Sequence, residues 1–220
     1  MLLAAGRGER MRPLTDTTPK ALLSVGGKPL IVWHLERLRR AGFTEIVINL
    51  AHLGKQIEAA LGDGRQFGAS IRYSREKEAL ETAGGIAFAL PLLGNQPFLV
   101  VNADIYCEFD FSKLPGVETM AHLVLVDNPP HHPRGDFALT RNKVAGAGSP
   151  MLTFSGIGVY RPELFSGVPR GAKAQLAPLL RRAMDEDSVS GERYSGIWFD
   201  AGTPERSRQI DASLATKGSR

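Results

Sequence analysis

The chain has 220 residues and a net charge of +4, from 27 basic and 23 acidic side chains; 43% of its residues are hydrophobic and 23% charged. That balance excludes a disordered or collagen-like chain and suits one large globular domain or two small ones, with a full core. No basic stripe interleaved with aromatics points to nucleic acid, a single cysteine (Cys107) leaves no internal disulfide and fits a reducing compartment, and no signal peptide or membrane-length apolar run is present, so a cytoplasmic protein without a membrane partner is expected.

Almost nothing precedes the first element. Leu2-Leu3-Ala4-Ala5 reads as a short apolar strand that runs into a loop bearing Gly6, Gly8, three arginines (Arg7, Arg10, Arg12) and, at its close, Thr18-Pro19-Lys20. Residues 29–41 read as a helix, with Pro29 at the first position, Ile31, Leu35 and Leu38 at helical spacing and Gly42 as the stop. A β-rich run follows at 45–50, a helix at 53–61, an alternating strand at 70–74 and a helix at 82–93, for which Thr82 is the expected N-cap. Residues 97–102 form a near-continuous apolar run, as in a strand buried on both faces. This β-α-β-α-β-α-β alternation implies a parallel sheet with helices on both sides. The second half is mixed: strands at 122–126 and 152–160, a short hairpin (137–139 with 143–144) around Arg141-Asn142, an amphipathic helix at 174–185, a last strand at 194–200 and a helix from Pro204. The prolines between Asp127 and Arg134 make that stretch a loop. The expected fold class is α/β: a Rossmann-like, mixed, mainly parallel central sheet with helices on both faces. It forms a single domain over 1–220, divided near residue 110 into two lobes, the second the smaller.

Glycines at 6 and 8 let backbone amides approach a ligand closely, and amides together with Arg and Lys side chains are what a polyphosphate needs. The dinucleotide fingerprint fits poorly, because Met11 stands where a third small residue belongs; the Walker pattern fails, because Gly27-Lys28 is followed by Pro29. Ligands of open α/β sheets bind beyond the carboxyl ends of the strands. Asp104, just after the 97–102 run, and Asp200, at the end of the last strand, stand there with the loop. Either aspartate alone could equally be a turn or capping residue. Lys28, His131 and His132 are expected in solvent.

The whole run L-A-A-G-x-G-x-R-M-x-P-L-T-x-x-x-P-K resembles the signature loop of the sugar-1-phosphate nucleotidyltransferases. The resemblance implies the nucleotide-diphospho-sugar transferase fold, with a nucleotide-binding lobe over about 1–110 and a sugar-binding lobe over about 111–220. It implies that Ala4, Ala5, Gly6, Arg7 and Gly8 wrap a nucleoside triphosphate, that Arg10 and Lys20 meet its phosphates, and that Asp104 and Asp200 (in Trp198-Phe199-Asp200-Ala201-Gly202-Thr203) hold Mg²⁺. Leu80-Glu81-Thr82-Ala83-Gly84-Gly85 is similar to the family's base-contacting segment, with Glu81 where many relatives have glycine; Glu81 and Gly84 are its candidates, and ordinary helix-start chemistry is the competing reading. Asn102, Gly135 and Asp136 fall on the sugar side. The family's central Glu-Lys-Pro lysine has no counterpart here. Taken with V-D-N-P-x-H-H-x-R-G-D-F, T-F-S-G-I-G-V-Y and W-x-D-A-G-T-x-E-R, the chain is most similar to the uridylyltransferases that join UTP to N-acetylmuramate 1-phosphate in peptidoglycan sugar recycling. Compact mannose-1-phosphate guanylyltransferases come next. A silent regulatory subunit of this fold is the alternative of a different class; Arg10, Lys20, Asp104 and Asp200, all present, argue for an enzyme. Oligomeric state is not legible.

Overall fold

In the computed structural model, which describes residues 1–217, the chain opens with β1 (Leu2–Leu3), a four-residue α1 (Leu14–Thr17) inside the loop, and the small strands β2 (Ser24–Val25) and β3 (Lys28–Pro29). Helix α2 (Leu30–Arg40) follows, burying Leu30, Ile31, His34, Leu35 and Leu38 on one face. Its last turn carries Arg37, Arg39 and Arg40, cations suited to the negative end of the helix dipole. Next come β4 (Glu45–Leu50), α3 (Gly54–Leu61), β5 (Ser70–Arg75), α4 (Glu81–Leu93), β6 (Phe98–Asn102) and β7 (Ile105–Cys107). The remainder is β8 (Ala121–Val126), β9 (Phe137–Thr140), β10 (Lys143–Ala145), β11 (Met151–Tyr160), α5 (Leu176–Asp185), β12 (Val189–Arg193), β13 (Trp198–Asp200) and α6 (Pro204–Lys217).

These elements form two compact units, interleaved in sequence. One holds Leu2–Ala79, Asn102–Leu114 and the chain from Ile197; the other holds Met1, Leu80–Val101 and Pro115–Gly196. The sequence reading divides the chain once, near residue 110, whereas the compact units exchange the chain repeatedly.

In the first unit β1, β4 and β5 pair in parallel, with Leu2 opposite Ile48 and Ile46 opposite Ile71. β7 and β13 form a separate antiparallel ribbon that sets Asp200 opposite Ile105 and Trp198 opposite Cys107. Its core includes Val25, Leu30, Tyr106, Ala201 and Ile210, with Trp33, Ile197 and Phe199 packed against them. In the second unit β11 lies antiparallel to both β6 and β8, β12 runs parallel to β8, and the hairpin β9–β10 pairs with β11 and β12. The sheet is mixed, with helices between its strands, as expected.

Two local expectations are corrected. The stretch 194–200 is not one strand: β12 ends at Arg193 and β13 begins at Trp198. Strand β12 escapes a pattern reading because Val-Ser-Gly-Glu-Arg is polar and carries a glycine; Gly191 is there because a Cβ would lie 2.7 Å from the Leu123 carbonyl oxygen of the neighbouring strand. Thr82 is not an N-cap: α4 starts at Glu81, preceded by Leu80 without any side-chain cap.

Candidate active site

The loop begins where β1 stops, and a side chain makes it stop there. Asn49, the register partner of Leu3, accepts the Ala4 amide on its Oδ1 at 2.8 Å and donates to Glu76 Oε1 at 2.7 Å. Ala4 and Ala5 are buried, whereas Gly6 is exposed and a Cβ on it would meet nothing within 4 Å, so its backbone borders open space. Gly8 takes φ +70°; a Cβ there would press on Thr15 Cγ2 at 2.9 Å and Lys20 Cβ at 3.3 Å. The glycine thus lets the loop fold back onto its own lysine, a turn that Thr15 closes by donating its hydroxyl to the Gly8 carbonyl at 2.9 Å. His52 Nε2 meets the Thr15 carbonyl at 3.0 Å and Gln56 donates to the Thr17 carbonyl, tying the far side of the loop to the start of α3.

The three loop arginines differ. Arg7 pairs with Glu9 at 3.2 Å and Arg12 with Asp16 at 2.8 Å, while Arg10 is exposed and has no ion pair with any described residue. Lys20 is only 8% exposed, and its Nζ donates to Asp104 Oδ2 at 2.6 Å. Burying an ammonium without such a partner is costly. Asp104 sits between β6 and β7, and its carbonyl accepts the Ala201 amide at 2.9 Å. Asp200 is half-buried at the end of β13; its Oδ1 accepts the Gly202 amide at 2.6 Å and its Oδ2 is paired with Arg206 Nη1. Lys20, Arg206, Asp104 and Asp200 therefore form two matched pairs of opposite charge at one end of the β7–β13 ribbon. Behind the ribbon, His34 is fully buried and its pKa is lowered to about 4, chiefly by desolvation. The Cys107 thiol is buried and pushed up to about 11, which leaves it an inert core side chain.

Asp104 and Asp200 fit a hard divalent cation. Both are carboxylates at adjoining positions of one ribbon, and Mg²⁺ takes few protein carboxylates, filling its octahedron with phosphate oxygens and water. Among the described residues no group of three or more His, Cys, Asp or Glu forms a ready-made cage.

Of the residues singled out from the sequence, Ala4, Ala5, Gly6, Arg7, Gly8, Arg10, Lys20, Asn102, Asp104 and Asp200 belong to the first unit; Glu81, Gly84, Gly135 and Asp136 belong to the second. Asn102 is half-buried at the end of β6. Glu81 is exposed, with φ +62°, a left-handed conformation in which glycine is at ease and a glutamate is strained. A glycine would hold that backbone without strain. Gly84 is buried, donates its amide to the Ala174 carbonyl at 3.1 Å, and would clash with the Ala172 carbonyl oxygen if it carried a Cβ. Close packing therefore requires a glycine here. The same holds for Gly135, where a Cβ would lie 2.8 Å from Asn128 Oδ1 and 2.9 Å from the Leu152 backbone. Asp136 accepts from His132 Nε2 at 3.0 Å and from the Phe154 amide at 2.9 Å. His132 is thus a structural partner and not a free solvent-facing side chain. Lys28 is corrected likewise: its ammonium pairs with Glu36 at 2.8 Å and lies 4.1 Å from the Trp33 ring centroid. Arg134 and Arg141 are exposed, Arg141 at φ +57° in the β9–β10 turn.

Sequence reasoning gave no role to Arg206, His34 or Asn49. Arg206 closes the W-x-D-A-G-T-x-E-R run, and a basic residue one helical turn and a half after a strand-end aspartate was the available signal. His34 and Asn49 stand in apolar runs, where a lone polar side chain marks a buried hydrogen bond.

Residues 1–122, more than half of the chain, match the family model described as nucleotidyl transferase. The chain belongs to the nucleotidyl transferase family. Among curated relatives of this nucleotidyl transferase, the N-acetylmuramate alpha-1-phosphate uridylyltransferase of Neisseria meningitidis serogroup B is 58% identical, with 96% of each chain covered. The enzyme of the same name from Caulobacter vibrioides is 35% identical over 98% of this chain and 96% of its own. A mannose-1-phosphate guanyltransferase of Schizosaccharomyces pombe is 28% identical over 93% of this chain and 61% of its own. A putative glucose-1-phosphate thymidylyltransferase from Bacillus anthracis shares the fold, with TM-score 0.86, 22% identity and 97% and 93% of the two chains covered. No helix among the described residues is long and apolar enough to cross a membrane.

Proposed function

We propose that this nucleotidyl transferase is a uridylyltransferase that joins UTP and N-acetylmuramic acid α-1-phosphate to give UDP-N-acetylmuramate and pyrophosphate, as a cytoplasmic step of peptidoglycan sugar recycling. The observation that carries the proposal is the 58% identity, over nearly the whole of both chains, to a protein of that name.

In the proposed reaction a phosphate oxygen of the sugar phosphate attacks the α-phosphorus of UTP in line, the bond to the β-phosphate breaks, and pyrophosphate leaves with the bonding electrons. The nucleophile is already an anion, so no general base is required. Two polyanions must be brought together, and neutralising their charge is the larger part of the task. Arg10, exposed and without an ion pair to any described residue, would receive phosphate oxygens; Lys20 would supply a fixed ammonium behind the loop. The amides around Gly6 border open space and orient the triphosphate. Asp104 and Asp200 would hold Mg²⁺, which when bound neutralises phosphate oxygens and stabilises the charge of the transition state. Ala4, Ala5, Arg7, Gly8, Glu81 and Gly84 complete the nucleotide side of this reading. Asn102, Gly135 and Asp136 form the sugar side.

Pyrophosphate release tests the proposal, with UTP and GTP each offered the 1-phosphates of N-acetylmuramate, N-acetylglucosamine, glucose and mannose. The expected preference in kcat/KM is UTP with N-acetylmuramate 1-phosphate. A preference for GTP with mannose 1-phosphate would replace it by the guanylyltransferase reading, and no turnover with any pair by that of a silent subunit.

A further inference from the structure

His34 is fully buried in α2 among Leu30, Ile31, Leu35 and Leu38. Its Nε2 lies 2.7 Å from the carbonyl oxygen of Ile105. A carbonyl only accepts, so Nε2 carries the proton and Nδ1 is a bare acceptor. That Nδ1 is buried with no hydrogen-bond partner. An orphaned buried nitrogen is destabilising, so an apolar side chain of the same volume would suit the core better. What the imidazole adds is the single bond to Ile105.

Ile105 is the junction of the site. It follows Asp104 directly and is the register partner of Asp200 across the β7–β13 ribbon, where the Ala201 amide also binds the Asp104 carbonyl. One helical turn on, Arg37 donates to the Tyr106 hydroxyl at 2.9 Å, and Trp33 meets the Tyr106 ring edge-on at 5.5 Å between centroids. Helix α2 thus grips two successive residues of the ribbon, and His34 is its hold on the Ile105 carbonyl, one residue from Asp104.

We propose that His34 is a positioning residue: its bond to the Ile105 carbonyl sets the backbone shared by Asp104 and Asp200, and through it the placement of both carboxylates. The inference rests on the proposed transferase reading for its catalytic consequence and on the geometry alone for its structural one. Groups that orient ligating side chains from behind commonly change metal affinity or activity by about 10–100-fold when removed.

The test compares His34→Leu, which keeps volume and loses the donor, His34→Asn, whose amide falls short of Ile105, and His34→Gln, whose amide reaches it. Per folded enzyme, Leu and Asn are expected to lower kcat by about 10–100-fold and to raise the Mg²⁺ concentration for half-maximal rate, with KM for both substrates little changed; Gln restores most of the loss. In the free protein, amide exchange over residues 102–107 quickens in Leu and Asn, returns towards wild type in Gln, and stays unchanged over residues 2–8. Should Leu fail to fold, the Asn and Gln pair gives the same contrast. Wild-type kcat and Mg²⁺ dependence in folded Leu or Asn, or Gln no better than Asn, overturns the proposal. Absence of turnover in the wild type with every substrate pair overturns the transferase reading instead, and the exchange measurement then decides on His34 alone.

Discussion

Lys20 and Asp104, 84 residues apart in sequence, meet at 2.6 Å between ammonium and carboxylate. The sequence assigns one to phosphate and the other to metal, yet each is the other's counter-ion. The pair gives a lysine that stands 8% exposed behind the loop its counter-ion. It also predicts that the two residues are not independent. In unfolding experiments Lys20→Met and Asp104→Asn should each destabilise, and the double mutant should cost less than the sum, with a coupling of about 0.5–3 kcal/mol. Strict additivity would show that the ion pair is not formed in solution.

Activity should separate the lysines of the region. Lys20→Ala is expected to lower kcat by roughly a hundredfold or more, the usual consequence of removing one preorganised charge from a transition state. Arg10→Ala should behave in the same way. Lys28→Ala removes a contact with Glu36 and Trp33 and should leave kcat near wild type, with a stability loss of about 1 kcal/mol or less. Steady-state kinetics and thermal unfolding on the three variants check this, and equal effects for Lys20 and Lys28 would refute it.

Asp104→Asn and Asp200→Asn should each remove most turnover while leaving the fold in place. The amide keeps the size and one acceptor oxygen, so the Gly202 amide still finds Oδ1 at residue 200, but the charge that would hold Mg²⁺ is lost. Circular dichroism establishes the fold, and near-wild-type rates at limiting Mg²⁺ in either variant would exclude that aspartate as a ligand.

Glu81 stores strain, and relieving it should stabilise the protein. At φ +62° a left-handed backbone costs an L-residue about 1–2 kcal/mol, part of which glycine returns as conformational entropy in the unfolded chain. Glu81→Gly is therefore expected to gain about 0.5–1 kcal/mol, or roughly 1–4 °C in Tm for a protein of this size. A simultaneous rise in KM for UTP would assign the carboxylate to nucleotide binding; an unchanged KM would leave it a strained helix start.

The buried His34 makes stability depend on pH. Its folded pKa of about 4 lies below the ordinary 6.5, so between these values the unfolded chain binds the proton and the folded chain does not. Folding is unaffected by this group above pH 6.5 and loses stability as pH falls towards 4, by up to about 3 kcal/mol. Subtracting the stability–pH curve of His34→Gln from that of wild type isolates the contribution. A flat difference across that window would mean that the imidazole titrates in the folded state as it does in water.

Long apolar-periodic stretches were legible from residues alone: β4, α2, β6 and the β9–β10 hairpin stand within a residue or two of the expected places. The loop and the strand-end aspartates were legible too, because a glycine-bearing turn with cations and carboxylates at strand ends has little packing purpose. What stayed hidden depends on distant partners. Three-residue β7 has too little pattern to be seen without β13, 90 residues later. The close packing of Gly84 and Gly135 is one such fact, because local sequence says nothing of the backbone at 172 and 152 that crowds them. The burial of Lys20 and the pairing of Asp200 with Arg206 are likewise tertiary facts, written in no periodicity.

The interleaving of the two units has a consequence for how the protein is made. Residues 80–101 and 115–196 hold every strand of the second unit's pairing and leave the ribosome as a nearly continuous run, so that unit can assemble on the nascent chain. The first unit waits for residues 197–217. Its ribbon lacks β13, its core lacks Ala201 and Ile210, and Asp104 lacks its neighbour Asp200 until residues 197–217 emerge. A chain arrested before that point carries the glycine-bearing loop and Asp104, but the first unit stays without its second ribbon strand and part of its core.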